Sequence, residues 1–149
     1  MSFYIDTSFI GCLLFDEPRA DEALAFWKEA QARSIISAWT MVEIGAVVSR
    51  RLRTHEIDSG SASQLLVYAD RIKASCADHA ATSADLRLAS ELVRHFDLML
   101  AAADALHLAT AANIGATLVT FDRRLATAAE RRHVAVAAIW NGTRALVSV

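Results

Sequence analysis

The spacing of apolar positions in this chain switches repeatedly between alternation and helical periodicity, which divides it into short strands and longer helices. Residues 2–5 (Ser-Phe-Tyr-Ile) read as a short buried strand ending at Asp6-Thr7-Ser8. Phe9, Ile10, Leu13 and Leu14 then recur at helical spacing until Asp16-Glu17-Pro18 breaks the run. A second helix is predicted over 20–32, with Ala23, Leu24, Phe26 and Trp27 inward, followed by a buried strand at 34–37 (Ser-Ile-Ile-Ser). Thr40 with Glu43 has the form of a capping box and predicts a helix from there to about residue 53. A polar stretch over 55–63 precedes a helix at 65–74, and Thr82 with Asp85 repeats the capping-box form at the start of a helix reaching about residue 95. The spacing predicts a further helix over 101–114, stopped by Gly115, then a strand at 117–120, a helix at 124–132 and a last strand at 134–139.

Short apolar strands alternating with helices predict an α/β fold with a central parallel sheet covered on both faces. In such folds chemistry gathers beyond the C-terminal ends of the strands. One proline and five scattered glycines leave no linker, repeat or low-complexity tract, so residues 1–149 are expected to form one domain.

Composition changes this picture in one respect. The hydrophobic fraction of 54% and mean hydropathy of +0.30 are high for a monomer, which points to apolar surface shared with a partner, a second copy first of all. No membrane span is expected: the longest apolar stretch, 98–119, is interrupted by Asp104, His107, Asn113 and Gly115, well short of ~20 clean residues. The N-terminus lacks the basic and apolar regions of a signal peptide, so the cytoplasm is the expected compartment. Cys12 and Cys76 make no metal-ligand spacing and read as small buried hydrophobes. A net charge of −2 excludes a global basic field, although of 15 basic residues only Lys28 and Lys73 are not arginine. High genomic GC content explains that bias more readily than phosphate recognition does.

Four carboxylates require an explanation. Glu43 is the only charged residue between Arg33 and Arg50, and Asp104 the only one between Asp97 and Asp122. A carboxylate in apolar company costs several kcal/mol of desolvation unless a cation or hydrogen-bond donor meets it, and no arginine or lysine is near either in sequence. Asp6 and Asp122 each follow a predicted strand and belong on the rim of the sheet. Four acids without local basic partners suit a hard, all-oxygen divalent site for magnesium, with manganese as a substitute. Each also has a structural reading. Asp6 and Asp122 suit helix caps, and Glu43 suits the return half of its capping box. Asp104, placed mid-helix by the pattern, has no cap to make. The roles are compatible, because a helix N-terminus favours an ionised ligand. His107, with no second histidine at metal spacing, reads as a packed, hydrogen-bonded residue. The hydroxyls of Thr7, Ser8 and Thr120 flank the rim acids and serve either a bound water or backbone capping. Trp27, Trp39 and Trp140 read as core or interface.

At this point the residues resemble a known family. Tyr4-Ile5-Asp6-Thr7-Ser8, the helix-borne Glu43, Ala103-Asp104-Ala105-Leu106-His107-Leu108-Ala109 and Leu118-Val119-Thr120-Phe121-Asp122-Arg123-Arg124-Leu125 are similar to PIN domains, in particular to VapC-type toxins of toxin–antitoxin pairs. The resemblance spans nearly the whole chain in order and spacing. It implies a Rossmann-like α/β/α sandwich, a metal-dependent endoribonuclease acting on RNA, a homodimer, and a small antitoxin that masks the site. Carried over by motif, Asp6, Glu43, Asp104 and Asp122 become the catalytic, metal-binding acids, with Thr7 and Thr120 in support. The chain departs from the pattern at Leu100-Ala101-Ala102-Ala103, where many relatives carry an arginine that contacts antitoxin or phosphate.

The expected chemistry is phosphodiester hydrolysis helped by one or two ions. Arg123 and Arg124 open a helix, where the dipole disfavours cations, which suggests a task such as holding substrate phosphate. Arg50, Arg51 and Arg53 end a helix, where cations are favoured, and read as a solvated face. A receiver-like signalling domain also places acids on such a rim, but it needs a lysine after a late strand and none follows Lys73. The other alternative is a PIN-fold module that acts through a protein partner without cleaving RNA.

Overall fold

Six strands form one sheet in the order β3-β2-β1-β4-β5-β6 in the computed structural model, which describes residues 1–15, 17–139 and 145–147. In chain order the elements are β1 (Phe3–Ile5), α1 (Thr7–Leu14), α2 (Ala20–Ala30), β2 (Ser34–Ser37), α3 (Ala38–Arg53), α4 (Ser59–Ala74) and β3 (Ala77–His79). They continue with α5 (Ser83–Leu92), α6 (Ala102–Asn113), β4 (Thr117–Val119), α7 (Arg123–Arg131), β5 (Val136–Ala138) and β6 (Ala145–Val147). β1 to β5 are parallel and β6 closes the edge antiparallel to β5. Asp16 and Trp140, read above as part of a helix break and as core or interface, lie outside the described residues.

The central strands β1 and β4 are buried on both faces because helices cover both. Phe3 and Ile5 face a core with Phe9, Ile10, Ala23, Trp27, Ile44 and Val48 from α1, α2 and α3. Tyr4 faces the opposite core, with Leu92, Leu108 and Leu125 from α5, α6 and α7. The alternation along β1 thus fills both layers of a three-layer α/β/α sandwich, as expected from the sequence. β1 continues into helices and β2 on one side of itself and pairs with β4 on the other, so the sheet reverses its winding direction between β1 and β4. A crevice opens at such a reversal beyond the strands' C-terminal ends.

Caps set most helix boundaries. Asp6, Ser37, Asp58 and Asp122 each accept a backbone N–H of the helix that follows, and Thr82 with Asp85 forms the expected capping box. Gly115, at φ +63°, ends α6 in the left-handed conformation that a Cβ disfavours.

Several expectations are corrected. The helix expected from Thr40 begins at Ala38, because Ser37 ends its strand and caps α3, accepting from the Thr40 N–H at 3.1 Å. Thr40 and Glu43 are therefore not a capping box. Leu24 is 44% exposed, because the inward stripe of α2 runs through Ala23, Trp27 and Ala30. α4 starts at Ser59 rather than 65, capped by Asp58. α6 starts at Ala102, so Asp104 stands in its first turn and not mid-helix. Cys76 is only half-buried, while Cys12 is buried.

Candidate functional site

Strand register builds the centre of the site. Ile5 pairs with Val119, so the next residues, Asp6 and Thr120, emerge side by side at the crevice. Thr120 Oγ1 donates to Asp6 Oδ2 at 2.6 Å, and Ser8 Oγ donates to both carboxylate oxygens at 2.8 and 2.9 Å. The Phe9 N–H donates to Oδ1 at 3.0 Å as the cap of α1. Asp6 is almost wholly buried, and burial pushes its acid up, while the charge of His107 and these donors act in the opposite direction.

Thr120 also accepts the Asp122 N–H at 2.9 Å, which fixes the turn from β4 into α7. Asp122 Oδ1 caps α7 by accepting from the Arg124 N–H at 2.7 Å and the Leu125 N–H at 3.2 Å. Asp104 enters from the start of α6 and is half-buried. Among the described residues no hydrogen bond or ion pair reaches its carboxylate. Its acid is raised first by burial and then by the negative charge of Asp122, with Asp6 and Glu43 adding to the push and His107 opposing it. Asp104 is therefore within electrostatic reach of the other three acids predicted from the sequence.

Glu43 projects from the second turn of α3, and its Oε2 accepts from Thr7 Oγ1 at 2.5 Å and from His107 Nε2 at 2.6 Å. Burial raises its acid, but the His107 hydrogen bond and charge and the Thr7 hydroxyl together take it below the usual carboxylate range. The flanking hydroxyls thus serve the acids themselves. His107 is packed and hydrogen-bonded, as read from the sequence, yet its partner is one of the site acids. Sequence reasoning missed Tyr4 and Ser37, which continue from His107: Tyr4 Oη lies 2.9 Å from His107 Nδ1 and donates to Ser37 Oγ at 2.9 Å. A tyrosine inside a buried strand has to find a partner for its hydroxyl, and that was the available signal.

Basic residues line two grooves. Arg123 and Arg124 are exposed and, with Asp97, Met99 and Arg131, line a groove of about 280 Å³. A second groove of about 410 Å³ runs from Thr7, Ser8 and Asp122 to Arg50 and Arg51. Arg51 is not the solvated residue expected: it pairs with Glu17 at 3.3 Å and stacks 4.1 Å from the Phe15 ring centre.

The donor set suits a hard divalent ion. Among the described residues no three His, Cys, Asp or Glu side chains form a ready-made cage. Magnesium does not require one, because it keeps several waters and uses one or two carboxylates together with substrate oxygens. The negative charge of Asp122, Asp6 and Glu43, which raises the Asp104 acid, is what a cation would relieve.

The family model described as PIN domain matches residues 3–131. No curated protein matches the sequence. Among solved structures the fold is similar to Mycobacterium tuberculosis VapC20, described as a sarcin-ricin loop cleaving toxin, at TM-score 0.69 and 23% identity over 85% of this chain and 95% of that one. It is also similar to FitAcB from Neisseria gonorrhoeae, at TM-score 0.72 and 20% identity, covering 93% and 99% of the two chains. VapBC2 from Rickettsia felis, bound to a DNA fragment from its promoter, matches at TM-score 0.66 and 17% identity over 85% and 92%. At these identities the likeness is one of fold.

Proposed function

Because this chain belongs to the PIN-domain family, we propose that it is a magnesium-dependent endoribonuclease and the toxin of a toxin–antitoxin pair. The observation that supports the reading is that Asp104 lies within reach of the negative charge of Asp122, Asp6 and Glu43, which raises its acid. Asp6 and Asp104 would hold the ion directly, with Glu43 and Asp122 as direct or water-bridged ligands. When bound, magnesium or manganese supplies positive charge to the phosphate and leaving oxygen and lowers the pKa of water. The chain's own residues orient the acids: Ser8 and Thr120 lock Asp6, Thr7 and His107 hold Glu43, and the α7 cap fixes Asp122. Arg123 and Arg124, which follow Asp122 directly in the chain, would neutralise substrate phosphate.

One of the three similar folds described above, Mycobacterium tuberculosis VapC20, is described as a toxin, which supports the assignment of role. Exposed apolar side chains support a homodimer and an antitoxin interface: Leu24, Val42, Leu66, Val67 and Tyr68 are all more than 40% exposed on α2, α3 and α4. Among the described residues no helix is long and apolar enough to cross a membrane, and a cytoplasmic setting accords with an RNA substrate. The test is cleavage of RNA by purified, partner-free protein with magnesium, compared with Asp104→Asn, which keeps shape and removes charge. We expect cleavage that chelation stops and the variant lacks. Wild-type cleavage by the folded variant would overturn the site, and a metal-bound protein that never cleaves would leave a PIN-fold binding module.

A further inference from the structure

A run of buried polar side chains leads inward from Glu43 and ends on backbone. Glu43 Oε2 meets His107 Nε2 at 2.6 Å, His107 Nδ1 lies 2.9 Å from Tyr4 Oη, and Tyr4 donates to Ser37 Oγ at 2.9 Å. Ser37 Oγ lies 3.1 Å from Thr40 Oγ1, which donates to the Ile5 carbonyl at 3.5 Å. His107, Tyr4, Ser37 and Thr40 are each at most 2% exposed. Four polar side chains withdrawn from water have to satisfy one another, and such a network fixes the geometry of every member.

The fold does not require this network to hold α6 against the sheet. Ala105, Leu108 and Ala109 of α6 are fully buried, and β1 is held by ladders on both sides. An apolar side chain at 107 would fill the same layer without desolvating an imidazole. What the network does uniquely is to bring one rigid donor to one oxygen of one rim acid. Thr7 adds a second donor to the same Oε2 at 2.5 Å, whereas Oε1 has no hydrogen-bond partner among the described residues.

We propose that His107 and Tyr4 are positioning residues, which commit Glu43 Oε2 inward and leave Oε1 alone to serve a divalent ion. The inference rests on the metal-dependent nuclease reading of the same site. Outer partners of this kind typically change metal affinity or activity by about 10–100-fold when removed.

Three variants of the full chain separate the links. His107→Gln carries an amide N–H to about the reach of Nε2 and preserves the donor to Glu43. His107→Asn reaches only as far as Nδ1 and loses it. Tyr4→Phe deletes one oxygen and keeps the ring. Manganese affinity is read from free Mn²⁺ by electron paramagnetic resonance, and melting in EDTA is recorded beside it. We expect His107→Asn to weaken Mn²⁺ binding about tenfold or more, and Tyr4→Phe and His107→Gln, which both keep the donor to Glu43 and lose its Tyr4 support, to weaken it only about threefold. The half-saturating magnesium concentration for RNA cleavage should rise in the same order. Equal loss in the Gln and Asn variants, or wild-type affinity in both His107→Asn and Tyr4→Phe, would overturn the positioning role while leaving the nuclease reading intact. If His107→Asn fails to fold, Tyr4→Phe and His107→Gln decide between them. Absence of Mn²⁺ binding by the wild-type protein would overturn the parent reading and this one with it.

Discussion

Two aspartates in this protein should respond to the same substitution with opposite sign. Asp85, fully buried at the start of α5, accepts from the Thr82 N–H and Oγ1–H at 2.8 Å each, from His79 Nε2 at 2.9 Å and from Asn113 Nδ2 at 2.7 Å. It thereby ties β3, α5 and the end of α6 together. Burial alone would raise its acid, but the Asn113, His79 and Thr82 hydrogen bonds overcome it and pull the value from 3.8 to about 2. That interval corresponds to about 2.5 kcal/mol of preference for the ionised form, at about 1.4 kcal/mol per pKa unit. Asp85→Asn removes the charge and also turns an N–H₂ toward donors, leaving a buried group unpaired at about 1–3 kcal/mol. A total loss of about 3.5–5.5 kcal/mol, at roughly 2–4 °C per kcal/mol for a chain of this size, lowers Tm by about 7–22 °C. Because the folded value lies below the unfolded one, the contribution is complete above about pH 5 and is lost as pH falls through 3.8 toward 2. The variant's stability should therefore change less than wild type's over that window.

Asp104 lies the other way. Burial and the neighbouring Asp122 raise its acid, so its charge costs stability at neutral pH and Asp104→Asn should melt no lower than wild type without metal. Thermal melts in EDTA at pH 7, with RNA cleavage measured well below both transitions, test the pair. The expected result is a low-melting, active Asp85→Asn and a stable, inactive Asp104→Asn. A fall of less than about 2 °C for Asp85→Asn, or equal destabilisation by both, would refute this division between scaffold and site.

Three further outcomes are expected. Magnesium at millimolar concentration should raise Tm by relieving carboxylate repulsion, and Asp6→Asn should shrink the increment; no increment in either protein would mean that the four acids do not form one site. Sedimentation at micromolar concentration should show a homodimer, and a monomer alone would contradict the use proposed for the exposed apolar side chains of α2, α3 and α4. A small partner encoded beside this gene should inhibit cleavage in trans through a segment that folds over the acids, and full RNase activity with the partner bound at saturation would defeat the masking idea.

Much of the site was legible because its acids break local rules. Asp6 and Asp122 follow apolar strands, and Glu43 and Asp104 stand alone among apolar residues, so the latter two ask for a partner that sequence neighbours do not provide. What pattern could not supply was the partner brought by folding: His107 meets Glu43 from 64 positions away. The start of α3 was misplaced because Ser37 and Thr40 both suit a cap, and only the turn of β2 into the helix chooses Ser37. β3 escaped detection because its residues, Ala77, Asp78 and His79, are polar or small and sit at an exposed edge, where burial imposes no alternation. α4 was shortened because Ser59-Gly60-Ser61 resembles a loop, whereas burial of Ala62 and Ala69 holds it helical.

β1 and β4 are each three residues long, where about five or six is usual. No spacer therefore separates the interior from the chemistry: Ile5 and Val119, both inaccessible to solvent, are covalently adjacent to Asp6 and Thr120. A methyl group lost from either would displace a carboxylate or its hydroxyl donor by whatever the backbone relaxes. Selection for a firmer interior and selection for a working rim act on the same few atoms, so this protein has little room to tune one without retuning the other.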